Sequence, residues 1–278
     1  MYGSMRVWMS FRFPGPQGGK PSAYDTVVSQ EKTGKQMRGN EVRTIYKKLS
    51  KRGFEPAHAA EVGVYRPEAA NIYNYIVQGV RCTLVEPDPD SVRQIKERFS
   101  CHENVTLHPV AAYDFNGELD LFRRGASTYV SELRTSPAIT NDEYTPNPED
   151  RFSVQAIKFN EIDDGTIDLL SVDAEGSEWF VIKHMDSRPA VISLETHGAA
   201  YTNPCIAEIK EWMAANNYVL WYKDKTDSVF VKYGSIEIGI LDRISLMVMD
   251  AYLAIRNTRK RKRIRRALRN RFQRPGFA

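Results

Sequence analysis

Ile167-Asp168-Leu169-Leu170-Ser171-Val172-Asp173-Ala174-Glu175-Gly176-Ser177-Glu178-Trp179 runs from an apolar stretch directly into three carboxylates set around a glycine. The apolar part has the length of one buried strand. Gly176 permits a sharp turn before Trp179, Val181 and Ile182 begin a helical period. Strand, acidic turn and helix in this order put the carboxylates at the carboxyl end of a strand, the edge where open α/β sheets bind their ligands.

The same alternation extends to both sides. Ala57 to Val64, Arg81 to Glu86 and Asn104 to Ala111 read as strands. Helices are expected at Glu68 to Val77 and at Pro89 to Phe99, the second opened by proline in its first turn. Asn116-Gly117 between apolar runs marks a turn into Glu118 to Phe122, an antiparallel excursion. Residues 125 to 150, rich in Ser, Thr, Asn and Pro, read as a long functional loop. Strands follow at Thr166 to Asp173, Ala190 to Glu195, Tyr218 to Tyr222 and Ser228 to Lys232, with helices after Glu175 and over Pro204 to Asn216. Seven or more strands with interleaved helices define an α/β fold, a mostly parallel sheet flanked by helices. Three regions result: a flexible arm over 1–35 rich in Pro and Gly, a main domain over 36–235 that opens on a helical pattern from Gln36 to Lys51, and a C-terminal segment over 236–278.

Composition narrows the class. A hydrophobic fraction of 42% is ample for a core in 278 residues. No apolar run approaches a membrane-spanning length, and the first residues lack the apolar centre of a signal peptide, so a cytoplasmic protein is expected. Cys82, Cys101 and Cys205 are odd in number and form no CxxC pair, which supports neither a disulfide framework nor a zinc site. The net charge of +4 conceals a segregation. Of 39 bases, 11 fall within residues 256–278, which contain no acid; the 28 that remain face 35 acids, leaving residues 1–255 at −7.

Two further strand ends carry acids. Glu61 and Gly63 close the first strand, and Glu86, 25 residues on, closes the second. In nucleotide-binding α/β folds, an acid at the second strand end accepts hydrogen bonds from ribose hydroxyls. The glycine pattern that would cradle a pyrophosphate is missing, since Gly63 is followed by Arg66-Pro67-Glu68, and no Walker loop occurs. A site lined by Glu61, Glu86 and Asp173 suits a ribose-bearing cofactor with a cationic end and no phosphate. S-adenosylmethionine, with its ribose, sulfonium and ammonium, has that chemistry.

The series Glu61-Val62-Gly63, Val85-Glu86-Pro87, Pro109 to Tyr113 with Asn116-Gly117, Asp168 to Glu178 and Ile192 to His197 resembles the FkbM-type methyltransferases over roughly residues 55 to 232. Asp173-x-Glu175-Gly176-x-Glu178 is its most family-specific part. The resemblance implies a class I, Rossmann-like S-adenosylmethionine-dependent fold and a hydroxyl acceptor on a sugar, glycan, polyketide or other secondary metabolite. Carried across, it implies that Glu61 and Gly63 border the methionine end of the cofactor, that Glu86 holds the ribose, and that Tyr65 is a further cofactor-binding residue. Ala111, Ala112 and Tyr113 would lie beside the adenine, and Asp173 near the methionine amine or the transferred methyl. One position departs from the family: a second glycine commonly follows four residues after the first, and here it is Pro67.

For the proton on an acceptor hydroxyl, His197 just beyond the strand Val191 to Glu195 is a candidate base, with Glu175 and Glu195 as rivals. Asp173, Glu175 and Glu195 could also assemble an oxygen-ligand site, although nothing requires a metal. Glu178 reads as a charge at a helix N-terminus, and Asp88 as the cap of the helix after Pro89. Ile240, Leu241, Ile244, Met247, Val248, Ala251, Tyr252 and Ile255 form one apolar helix face, followed at once by the basic run. A C-terminal basic amphipathic helix is expected, and an anionic membrane surface at the inner face is its expected partner over residues 240–274, ahead of nucleic acid. Two other classes compete with the enzyme: a non-catalytic methyltransferase-like binding protein, and a nucleic-acid methyltransferase using the basic tail.

Overall fold

The computed structural model describes residues 42–124, 127–131, 136, 147–198 and 201–272. The expected arm over 1–35 and most of the expected loop at 125–150 lie outside them. The described elements begin with helix α1 (Thr44–Ser50), strand β1 (His58–Val62), helix α2 (Tyr73–Val77), strand β2 (Arg81–Val85), helix α3 (Pro89–Arg98) and strands β3 (Val105–His108) and β4 (Ala111–Ala112). Strands β5 (Gly117–Arg124), β6 (Ser127–Val130), β7 (Arg151–Ile157) and β8 (Leu169–Val172) follow, then helix α4 (Glu178–Ile182) and strand β9 (Val191–Glu195). Helix α5 (Ile206–Ala215), strands β10 (Tyr218–Lys223) and β11 (Asp227–Lys232) and helix α6 (Ile240–Phe272) complete the order.

Seven strands form the main sheet in the order β10-β11-β9-β8-β1-β2-β3. The sheet is mixed, because β11 runs antiparallel to both neighbours while the other described pairings are parallel. Strands β1, β8 and β9 are buried along their whole length, as expected of strands covered on both faces. Successive residues point to opposite sides: Ala59, Leu169 and Val191 join one core with Leu49, Ile76 and Trp221, whereas Ala60, Leu170 and Ile192 join another with Ile182 and Met213. Strand order reverses between β1 and β8, so the crevice at their carboxyl ends is the topological switch point.

Register decides what meets in that crevice. Val62 pairs with Val85 on one side and Val172 on the other. Gly63 N donates to the Val85 carbonyl and Asp173 N to the Val62 carbonyl, both at 2.9 Å. Gly63, Glu86 and Asp173 therefore leave the sheet side by side from three adjacent strands.

Three expectations change. The helix expected over Glu68 to Val77 breaks into a 3-10 turn at Pro67–Ala69 and the short α2. Its interruption follows from Glu61, whose carboxylate accepts the backbone N–H groups of Asn71 (2.9 Å) and Ile72 (3.0 Å). The strand expected over Asn104 to Ala111 divides into β3 in the main sheet and β4 in a second sheet ordered β4-β7-β5-β6. Strand β7 was not anticipated at all, although Phe152, Val154 and Ala156 alternate with polar residues. This second sheet packs Leu119, Leu121 and Val130 beside Ala111 and Tyr113 and covers the crevice mouth.

Candidate active site

One crevice with about 700 Å³ of free space, its open mouth included, lies at the switch point. Gly63, Tyr65, Glu86, Ala111, Ala112, Tyr113, Asp173 and Glu175 all line it. Eight positions taken from distant parts of the chain thus converge, because the register above aligns the strand ends. Its wall from the second sheet, Leu119, Leu121, Thr128 and Val130, escaped the sequence reading. Arg123 holds that wall down: it donates to Asp88 at the N-cap of α3 and, at 2.8 Å, to Asp90.

Glu86 is buried at 4% exposure. Its Oε2 accepts Val64 N and its Oε1 accepts Asp88 N, each at 2.8 Å. Each carboxylate oxygen offers two acceptor sites, so one remains on each for a vicinal diol. Burial pushes its carboxyl up to about 7 against the pull of these two N–H groups. Glu86→Ala is expected to weaken cofactor binding by about 2–4 kcal/mol with the fold retained, since two charge-assisted hydrogen bonds are lost. Titration calorimetry checks this, and unchanged affinity would remove Glu86 from the site.

Two expected site residues are elsewhere. Glu61 is bonded to the N–H groups of Asn71 and Ile72 and does not line the crevice; it shapes the loop after Gly63. His197 is also outside the lining. Its Nε2 lies 3.2 Å from the Asp224 carbonyl, which demands a donor, and its Nδ1 is 2.9 Å from Thr196 Oγ1. Burial lowers its pKa, and with both nitrogens engaged it is poorly placed to take a proton from a ligand. Pro67 is absent from the lining as well, so the departure from the family's glycine pattern falls on the 3-10 turn.

The acidic turn is organised by Glu178, which the helix-dipole reading underrated. Its Oε1 accepts Ala174 N (2.9 Å) and Gly176 N (3.2 Å), and Asn203 donates to Oε2. These bonds hold Glu175 at φ 51 and Gly176 at φ 108, a tight left-handed corner. Asp173, Glu178 and Glu195 each bring an oxygen within 4.8 Å of the others. With Glu178 held by these three donors, Asp173 and Glu195 are the members of the group still short of positive charge or a proton. Asp173 is exposed toward the open crevice, yet the protein packed around its carboxyl, followed by the Glu175 carboxylate, pushes it up to about 7, against a hydrogen bond shared with Glu195. Glu195 is raised as well, by burial and then by Asp173. Its Oε2 is buried without a donor among the described residues. Tyr201, whose hydroxyl is likewise buried without a described partner, is raised by burial and then by Glu178 and Glu195.

These carboxyls make stability depend on pH in a definite direction. Glu61, Glu86 and Asp173 sit near 7 and Glu178 near 8, above ordinary values of 3.8 to 4.5. Groups raised on folding favour the native state while protonated, and the contribution is lost as pH climbs through the raised values. The melting temperature of the ligand-free chain is expected to fall between about pH 5 and pH 8, with a bound cation reducing the fall. A thermal-denaturation series checks this, and a rise over that range would contradict the cluster as described.

Three carboxylates and no basic side chain line the crevice among the described residues. With an acid oriented for a diol at β2, apolar walls beside Ala111 and Ala112 and carboxylates at β8, the donor set fits a nucleoside bearing a cationic tail. The strand order and this site together define a class I methyltransferase domain. The family model described as the methyltransferase FkbM domain matches residues 61–220. The chain belongs to that family.

Among solved structures it is similar to a methyltransferase FkbM from Methylobacillus flagellatus, at 13% identity and a TM-score of 0.44, covering 68% of this chain and 47% of that one. A putative RNA methyltransferase from Pyrococcus horikoshii aligns at 10% identity and a TM-score of 0.35, covering 76% and 99%. A precorrin-6y C5,15-methyltransferase from Geobacter metallireducens aligns at 15% and 0.32, covering 69% and 88%. The chain thus spans about half the length of the solved FkbM methyltransferase. No curated protein matches.

Proposed function

We propose that the chain is an S-adenosylmethionine-dependent O-methyltransferase acting on a hydroxyl of a sugar, glycan or secondary metabolite. Asp173, which faces the same crevice as Glu86 and has a Glu195 carboxylate oxygen within 4.8 Å, is the observation that carries this reading, both carboxyls being raised. S-adenosylmethionine supplies, when bound, a methyl group on a cationic sulfur. Glu86 holds the ribose diol, and Ala111, Ala112 and Tyr113 bound the adenine. Asp173 and Glu175 offset the positive charge. Asp173 takes the hydroxyl proton, with Glu195 behind it stabilising whichever member of the pair holds that proton.

An acceptor hydroxyl gains from this arrangement because alignment and removal of one proton are what its oxygen lacks as a nucleophile. A nucleic-acid acceptor fits the acidic rim poorly, since its phosphates would meet Asp173 and Glu175. Calorimetry with S-adenosylmethionine, followed by labelled-methyl transfer to panels of sugars, glycans, secondary metabolites and RNA, tests the proposal. Label on oxygen is the expected result. Absence of cofactor binding would favour a non-catalytic binding protein, and label on RNA would replace the small-molecule acceptor.

A further inference from the structure

Helix α6 docks on the domain through a stripe that mixes Asp242 and Arg256 with Leu246, Met249 and Leu253. The Asp242 carboxylate accepts from Arg52 Nη2 at 2.6 and 2.8 Å and from Trp221 Nε1 at 3.1 Å. Lys223 Nζ donates to Asp250 at 2.6 Å, and Arg256 Nη2 to the Lys225 carbonyl at 3.2 Å. Leu253 is buried, and Leu246 and Met249 are half-buried. Positions 242, 246, 249, 253 and 256 make one helical stripe, so the attachment fixes the rotation of the helix about its axis.

That rotation turns the apolar stripe outward. Ile240, Leu241, Ile244, Met247, Val248 and Ile255 are 50 to 82% exposed. An amphipathic helix that belonged to the core would have the opposite orientation. A contiguous exposed apolar surface of this kind marks an interaction site. Helix α6 then continues without a break into the basic run, for 33 residues in all, and of the bases there Arg259 and Lys262 are exposed. No helix among the described residues is long and apolar enough to cross a membrane.

We propose that α6 lies flat on an anionic lipid bilayer, its apolar side chains at the headgroup–acyl boundary and its basic half against lipid phosphates. Both halves of the helix find a complement there: apolar insertion for residues 240–255 and negative charge for the basic run beyond the dock. Nucleic acid would meet the bases and leave the apolar stripe in water. A second copy stacked in parallel would cover the stripe and bring two such basic runs together. The −7 of residues 1–255 repels the same bilayer, which confines contact to this helix.

Flotation of the full chain with vesicles of phosphatidylcholine, with and without phosphatidylserine, tests the proposal. Binding is expected only to the anionic vesicles and is expected to weaken as salt is raised. Ile244→Asp with Met247→Asp removes insertion, and Arg259→Glu with Lys262→Glu removes attraction. All four positions are exposed, so melting temperature and circular dichroism should match the parent's. Each pair is expected to lower vesicle partitioning by roughly tenfold or more. Parental flotation of both variants would overturn the proposal. So would failure of the parent to float, whether it instead binds RNA in a salt-dependent way or forms a dimer that Ile244→Asp with Met247→Asp disperses.

Discussion

Replacing Asp173 with asparagine is expected to lower turnover at saturating cofactor by roughly 10²- to 10⁴-fold, the usual contribution of a positioned base. The amide keeps the volume of the carboxylate and removes one of the like charges that face Glu195, so the variant should be no less stable than the parent. Charge is what it removes. Because the Asp173 carboxyl is pushed up to about 7 and only its ionised form accepts a proton, the parent's rate should rise with pH through that value and then level off. The variant's residual rate should lose that limb. Steady-state profiles of both proteins decide the matter. Full activity with an unchanged profile would move the base to Glu175 or show that none is needed.

Gly63→Ala is expected to be the most damaging single methyl in the domain. A Cβ at this position would lie 1.8 Å from the Asp173 carbonyl oxygen and 2.8 Å from its carbon, both backbone atoms. The glycine also sits at φ 86, where an L-side chain is strained. Neither neighbour can yield cheaply, since Asp173 N is bonded to the Val62 carbonyl and Gly63 N to the Val85 carbonyl. The ends of β1 and β8 must part, and strain with overpacking together should cost about 3–6 kcal/mol. A lower melting temperature and loss of cofactor binding are the readouts. Gly79→Ala serves as the control, because Gly79 has φ 82 with nothing within 4 Å and should show only the backbone penalty. Equal melting temperatures for the two variants would refute the close approach at the crevice floor.

The strand-end acids illustrate how far sequence patterns reach. Glu61, Glu86 and Asp173 each follow an apolar run, and their spacing was enough to expect one ligand edge with a ribose acid at its centre. Which carboxylate faces that edge was not legible. Glu61 turns away because the N–H groups of Asn71 and Ile72, ten and eleven residues on, are the donors nearest its strand face. His197 emerges from a strand on the same side of the sheet as Asp173, yet Thr196 and the Asp224 carbonyl hold its ring. The break between β3 and β4 did carry a signal, since Pro109 between them cannot donate to a ladder, but which sheet Ala111 and Ala112 would join did not follow from it.

The sequence by itself determined the alternation of strands and helices, the acids at the strand ends, the apolar stripe of α6 and the segregation of charge, because these depend on period and order along the chain. Tertiary structure alone decided that β8 lies beside β1, that Glu195 backs Asp173, that a second sheet walls the crevice and that the α6 stripe faces outward. Those outcomes depend on which strands become neighbours and on which donors lie close in space, and both are set by contacts between residues tens to nearly two hundred positions apart.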